Sequence, residues 1–490
     1  MDPFFEIEVE LPDPGSRDRG RSLYCLLRGA IQDGRLAVGA RLPASRRSAR
    51  YFGLSRNTVA DVYDRLSNEG LVTTRQGSGT YVADLPKAIA TKSVAASTFP
   101  LNAFWLRPEV TSAMSFWREE KPRADTTEVT ADFRPALIDA RLFPFALYRK
   151  VSAKQLRVLE KKPASFKSPQ GNQGNFHLRA AVARHIALTR AVVCRADDVV
   201  VTSGAQQAFD MLARVLVTPG KTIVAVEDPG YPPMRVAFAA AGARVIAVPV
   251  DEEGLIVELL PRGVGVICVC PSHQFPLGLT MSKRRRTELV NFARLHGAVI
   301  VEDDYDGEFR YSAQPLQALR AADAADVVFY VGTFSKCMLP SLRLGFVVPP
   351  EWARRTLVAA KNCSDWHCSI PLQVGVGAFL SGGHLARHVR RMLHIYQHRR
   401  RLIIDVLKHD FAGLLDPIPS LYGMHVAAWA HDGVDVESAA SALLASGVKV
   451  HALARYYLGS APRRGLVLGY GAADLAAIAR GLRVLRKTLA

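Results

Sequence analysis

The first 85 residues carry apolar positions at helical spacing in short blocks. Leu23, Leu26, Leu27, Ala30 and Ile31 share one face. A Gly-containing turn leads to Leu42-Pro43-Ala44-Ser45, where Ser45 is placed to cap a second helix, Arg46 to Phe52, ended by Gly53. Ser55 is placed to cap a third helix, whose apolar face is Val59, Val62, Tyr63 and Leu66. Two strand-like pieces follow, Leu71 to Arg75 and Thr80 to Val82, joined by Gln76-Gly77-Ser78-Gly79. From about Ala131, short β-rich runs alternate with helical stretches, as in an α/β sheet. Residues 85–130 keep no period and read as a linker, yet Phe99, Phe104, Trp105, Phe116 and Trp117 call for docking against a neighbour. The expected division is a mainly α module over 16–84, a linker over 85–130 and an α/β domain over 131–490.

Two helices joined by a short Gly turn and followed by a β-wing are a winged helix-turn-helix. Charge sharpens that reading. The chain has 490 residues and a formal net charge of +18, and 17–60 hold ten Arg against only Asp18 and Asp33. Double-stranded DNA is the expected partner. Ser55, Arg56, Asn57 and Thr58 open the third helix, where a recognition helix meets base edges and phosphates. No apolar run approaches the ~20 residues of a membrane span, and MDPFFEIEVE has no apolar leader region. A cytoplasmic, reduced protein is expected. Cys363 and Cys368 flank Asp365 and His367 at a spacing that fits no common zinc pattern, so no metal is expected.

Four segments of the α/β domain carry chemistry. Val200 to Ala208 runs from strand through Gly204 into a helix start, a cradle for an anion. Asp228-Pro229-Gly230-Tyr231 sets an aromatic ring at a strand's carboxyl end. Ala298 to Asp306 runs a buried strand into acidic residues and Tyr305; a carboxylate there can keep a pyridine nitrogen protonated. Val328 to Lys336 ends a strand at a lysine among hydroxyls, and Arg343 follows seven residues later. Burial and a nearby cation lower a lysine's pKa, as Schiff-base chemistry requires. The Arg- and His-rich stretch 384–401 reads first as a helix packed beneath the site, and second as a further basic surface for DNA.

The stretch Leu42 to Val82 resembles the winged helix-turn-helix of the GntR family. The resemblance implies DNA contacts from Arg46, Ser55, Arg56, Asn57, Thr58, Gln76 and Gly77; Arg47 stands where such families have Glu. The four segments together resemble fold-type I aminotransferases that carry pyridoxal phosphate (PLP). CPSHQFPLG (270–278), VEDDYDGEF (301–309) and GTFSKCMLPSLRLGF (332–346) resemble the MocR/GabR-type regulators, which fuse the two modules. That resemblance implies Lys336 as the PLP Schiff-base lysine, Asp303 at the pyridine nitrogen, Tyr305 at the ring hydroxyl and Tyr231 stacked on the ring. Ala205, Gln206, Thr333, Ser335 and Arg343 would hold the phosphate. Phe275 departs from the pattern: working aminotransferases have Asn before this Pro, bonding the cofactor hydroxyl. Arg455 is the candidate for an effector carboxylate. The implied function is a homodimeric transcription regulator that senses a small amine or amino acid by external aldimine formation. A catalytically active aminotransferase with DNA-binding autoregulation is the alternative.

Overall fold

The computed structural model describes residues 12, 18–75, 78–84, 102–111, 116, 129–161, 171–311, 317–459 and 462–489. Gln76, Gly77, Phe99 and Trp117 lie outside them. The chain forms two compact units, 1–100 and 101–490.

In the first unit, α1 (Arg19–Gln32), α2 (Ser45–Phe52) and α3 (Arg56–Asn68) stand beside a three-stranded sheet, β1 (Arg41–Leu42), β2 (Val72–Arg75) and β3 (Gly79–Val82), in the order β1-β3-β2. Leu23, Leu27, Val59 and Leu66 are fully buried in its core. Arg19 donates to the carbonyls of Gly53 (2.9 Å) and Phe52 (3.0 Å), tying α1 to the end of α2. Gly53 closes α2 at φ +59°, a left-handed conformation that suits glycine. Ser45 differs from expectation: it is the first residue of α2, Ala44 holds the cap position, and no side chain caps that end. Ser55 does cap α3, its Oγ accepting from the Thr58 N–H at 3.1 Å. Ser55→Ala should cost about 1 kcal/mol, read as a lowered calorimetric midpoint of this unit.

In the second unit, the short strand β4 (Ala131–Asp132) pairs in parallel with Val448–Lys449, and eight further strands form one sheet in the order β5-β12-β11-β10-β9-β6-β7-β8. They are β5 (Val200–Thr202), β6 (Ile223–Asp228), β7 (Arg244–Asp251), β8 (Gly254–Leu255), β9 (Val266–Val269), β10 (Val299–Asp304), β11 (Val328–Thr333) and β12 (Gly345–Val348). The run β7-β6-β9-β10-β11 is parallel, with β12 antiparallel between β11 and β5. Parallel strands buried on both faces are apolar throughout, and successive residues face opposite layers. Val224, Val226, Val266, Cys268, Val301 and Val331 pack with Phe209 and Leu212 of the helix Ala205–Leu216. Ala225, Ile267, Val269 and Ile300 pack with Leu289 and Ala293 of the helix Lys283–His296. A smaller antiparallel sheet, Leu415–Pro417, His425–Ala430, Gly465–Gly469 and His451–Ala452, follows.

The helix His384–Asp410 buries Val389, Met392, Tyr396, Arg399 and Ile403. Arg399 donates to the Gly471 carbonyl and to Asp139, both at 2.9 Å, so this basic helix is packed into the domain. Parts of the stretch read as linker belong to this unit: Ala103–Leu106 forms a 3-10 turn, and Phe116 is buried against Tyr456. Among the described residues no helix is long and apolar enough to cross a membrane.

Candidate functional site

The parallel strands deliver their carboxyl ends to one edge of the sheet. There β10 places Glu302, Asp303 and Asp304 on alternating faces. Asp303 shares the face of Val301. Its neighbours point away and are spent structurally. Glu302 accepts the Leu319 and Arg320 N–H groups at 2.7 and 2.8 Å. Asp304 accepts from Arg190 Nε and Tyr330 Oη, both at 2.6 Å. Asp303 is the carboxyl left over: its Oδ1 is buried without a hydrogen-bond partner. Burial lifts its pKa to about 8, with Asp304 and Asp306 adding to the rise and Lys336 opposing it.

Lys336 follows β11 and donates from Nζ to the Ala136 carbonyl at 2.6 Å. Burial pulls its ammonium down to about 8, opposed by Asp306 and Asp303 and aided by Arg343. The anion cradle lies beside it. Gly204 caps the helix Ala205–Leu216 at φ +80°, and a Cβ there would lie 3.0 Å from Arg343 Nη2. Arg343 donates to the Ser203 carbonyl at 3.2 Å, and Thr333 Oγ1 bonds Ser335 Oγ at 3.0 Å. Gln206 is exposed and its amide donates to the Pro233 carbonyl at 3.2 Å.

Aromatic rings wall the other side. Phe275 stands edge-on to Tyr231 (5.5 Å), Tyr305 (5.8 Å), His425 (5.5 Å) and Tyr456 (5.1 Å). Arg455 Nη2 donates to the Phe116 carbonyl at 2.6 Å, so a residue of the stretch read as linker meets the predicted carboxylate ligand. These residues fit PLP: a helix start beside an arginine for the phosphate, a lysine with lowered pKa, and a carboxyl with one oxygen left unpartnered. A cationic ring nitrogen facing Asp303 would return that carboxyl to its charged form.

Sequence reasoning gave no role to His273, Asp306, His425 or Glu227, all buried here. His273 Nδ1 lies 2.8 Å from Tyr305 Oη and 2.9 Å from Asp306 Oδ2. Glu227 accepts the Cys270 N–H at 3.1 Å, and burial lifts its pKa to about 8. The signal available was the His-Gln pair inside an otherwise apolar run. Asp365, beside the doubted metal spacing, pairs with Lys361 Nζ at 2.6 Å.

The buried carboxyls set a pH dependence. Asp303 has a folded pKa of about 8 against an ordinary 3.8. The folded state therefore holds its proton where the unfolded chain has lost it, and the stability this confers fades as pH rises toward about 8. Glu227 and Glu302 act in the same direction. Asp303→Asn should flatten the decline in the denaturation midpoint of cofactor-free protein between about pH 4 and 8. An unchanged slope would place the titration elsewhere.

On the first unit, Arg46, Arg47, Ser55, Arg56 and Asn57 are exposed and Thr58 is partly buried. The Ser55 oxygen is already engaged by its own helix.

The description "Aminotransferase class I and II" matches residues 148–465, and "Bacterial regulatory proteins, gntR family" matches 19–82. The probable rhizopine catabolism regulatory protein MocR of Rhizobium meliloti is 33% identical over 95% of this chain and 92% of its own length. The pyridoxine biosynthesis transcriptional regulator PdxR of Corynebacterium glutamicum is 31% identical over 91% of each chain. Among solved structures, the kynurenine aminotransferase of Pyrococcus horikoshii aligns at a TM-score of 0.69 and 26% identity, covering 81% of this chain and 98% of that one. An archaeal alanine:glyoxylate aminotransferase aligns at 0.71 and 24%, covering 79% and 98%. The chain belongs to the aminotransferase class I and II family and, with its gntR-type domain, to the MocR-type helix-turn-helix transcriptional regulators.

Proposed function

We propose that the protein is a DNA-binding transcription regulator that carries PLP on Lys336 and reads a small amine or amino acid through it. The observation that carries this reading is a buried Lys336 that feels the charge of Asp303, whose Oδ1 has no hydrogen-bond partner, beside the Gly204–Arg343 cradle, in a chain whose recognition helix also opens on exposed Arg56 and Asn57. When bound, the cofactor supplies an electrophilic carbon that exchanges one amine for another. The protein supplies the rest. Arg343, Thr333, Ser335 and the helix start at Ala205 and Gln206 would hold the phosphate. Asp303 would hold the ring nitrogen, Tyr231 would flank the ring, and Tyr305 would meet its hydroxyl. Phe275 brings no hydrogen bond to that hydroxyl, which favours sensing over turnover.

The effector's carboxylate, where it has one, is assigned to Arg455. Arg455→Leu should raise the effector concentration needed for half response by roughly 10- to 100-fold, the loss of one charged hydrogen bond. Two copies of the chain are expected to act together, each presenting its recognition helix to a half-site. The helix Phe145–Lys161 leaves Phe145, Leu156 and Val158 exposed, as a second copy would cover them. The working place is the cytoplasm, where the DNA is. Light scattering on the full chain tests the dimer.

Effector binding must change affinity for DNA, since only a differential interaction shifts an equilibrium. Titrating amines while recording both the visible spectrum and operator anisotropy tests this. An amine that shifts the band and changes DNA affinity by about 5- to 150-fold supports the reading. A band that responds while DNA affinity stays fixed would overturn it.

A further inference from the structure

We propose that His273 and Asp306 form a positioning pair that turns the Tyr305 hydroxyl toward the cofactor's ring oxygen, and so sets the pH at which the nitrogen of Lys336 loses its proton. This rests on the cofactor reading above and adds residues to it.

Geometry carries the proposal. His273 follows β9, while Tyr305 and Asp306 follow β10, and all three are buried. One ring nitrogen, His273 Nδ1, meets two oxygens, Tyr305 Oη at 2.8 Å and Asp306 Oδ2 at 2.9 Å. Burial raises the Asp306 carboxyl and its bond to His273 opposes that rise; as the carboxylate it can only accept, and Nδ1 has room for a single proton. The proton therefore sits on Nδ1, shared between Asp306 and the phenol oxygen. Tyr305 then accepts from His273, and its own proton must point elsewhere. Among the described residues its hydroxyl has no other hydrogen-bond partner. That leaves the open side, where the resemblance places the ring hydroxyl.

The surroundings hold His273 in this one pose. Gly423 lies so close that a Cβ would stand 1.8 Å from His273 Cε1, and a Cβ at Gly278 would stand 3.2 Å from Nε2. The His425 ring lies 4.7 Å away, turned by its Nε2 contact with the Pro276 carbonyl at 2.9 Å. Burial, His273 and Lys336 all keep His425 neutral. Asp304, Glu308 and Lys336 face Asp306; Cys270, Asp303 and Glu227 face Tyr305; Arg343 faces Lys336. The donor at this spot is assigned from the two contacts at Nδ1. Phe275 gives the arrangement its importance. With no side-chain amide at that position, Tyr305 is left as the donor, and its direction matters more.

A donor aimed at the ring oxygen stabilises that oxygen's anionic form and loosens the proton on the Lys336 nitrogen. Losing the donor should raise the pH of proton loss. The test is a pH titration of the visible band of full-length protein loaded with PLP. Tyr305→Phe and His273→Leu should each raise the midpoint by about one pH unit. His273→Asn keeps an N–H where Nδ1 stands and should remain near wild type. His273→Gln places its amide on the Nε2 side and should behave like His273→Leu, which keeps the test open if the leucine variant does not fold. The double variant Tyr305→Phe/His273→Leu should match Tyr305→Phe alone.

An unmoved midpoint in both His273→Leu and His273→Gln, with Tyr305→Phe shifted, overturns the proposal. So do shifts that add in the double variant. His273, Asp306 and His425 also bring donor atoms within 4.8 Å of one another, and a midpoint that moves on adding a chelator would assign them to a cation instead. A wild-type protein with no visible band would overturn the cofactor reading itself, a result distinct from all of these.

Discussion

Lys336→Ala removes the lysine-dependent visible band of the amine-free, PLP-loaded protein and slows its response to amines, while binding to DNA of arbitrary sequence is retained. The band of the amine-free protein belongs to a carbon–nitrogen link made by the lysine; an added amine can still condense with the bound aldehyde, but with no lysine to exchange with. The cradle does not depend on it. Gly204, the helix start and Arg343 remain, so on the proposed assignment the phosphate should keep its anchor and the cofactor should still bind, more weakly. The winged module is a separate compact unit with its own core, and the salt dependence of its non-specific DNA binding should stay at the wild-type slope. Spectra with and without amine, and anisotropy against salt, check both halves. An amine-dependent change in DNA affinity that survives in Lys336→Ala would show that the effector is read without the lysine. Arg56→Ala supplies the converse: the band and its amine shift stay intact, while operator affinity drops by about 1–3 kcal/mol if the guanidinium forks onto a base.

Arg190→Leu should destabilise the large domain by about 3–5 kcal/mol, the cost of stranding one buried partner of an ion pair. Arg190 and Asp304 are both nearly inaccessible, meeting at 2.6 Å, and Tyr330 Oη shares the same carboxylate oxygen. Arg190 also donates to Ser272, just before His273. Without the guanidinium, Asp304 is an unpaired buried charge between Asp303 and Tyr305. Adding Asp304→Asn should recover much of the loss, because the charge is then gone. Denaturant unfolding of full-length protein measures both. A loss under about 1 kcal/mol would mean that water screens the pair. Asp303 should register the change as well: the neighbouring charge lifts its pKa further, so the decline in stability toward alkaline pH moves upward.

Much of this site is local in sequence, and that part was legible. Lys336 and Arg343 sit in one segment, Asp303 and Tyr305 in another, and each segment announces itself by a strand running into polar residues. The recognition helix was legible for the same reason: Ser55 and the apolar face of α3 are neighbours along the chain. Ser45 misled because it also stands at a helix start, but one position inside it. What escaped were pairings made by tertiary packing. His273 meets Asp306 across 33 residues, Lys336 meets the Ala136 carbonyl across 200, and Arg455 meets Phe116 across 339. No period or spacing encodes those. Asp303, Asp304 and Glu302 look alike in sequence; strand alternation and the partners on each face tell them apart.

That alternation also governs how this family can change over time. On β10 a substitution alters one side chain, but an insertion or deletion of one residue turns the whole strand over. Asp303 would then face the packing meant for Glu302 and Asp304, and one of those would face the cofactor. Arg190 and the Leu319 N–H would lose their acceptors in the same step. The strand is thus free to drift in composition and fixed in length. Lineages of such regulators should differ in length at their loops and hinges and keep the six-residue count of this strand. A gap there would mark a chain that has given up the chemistry altogether.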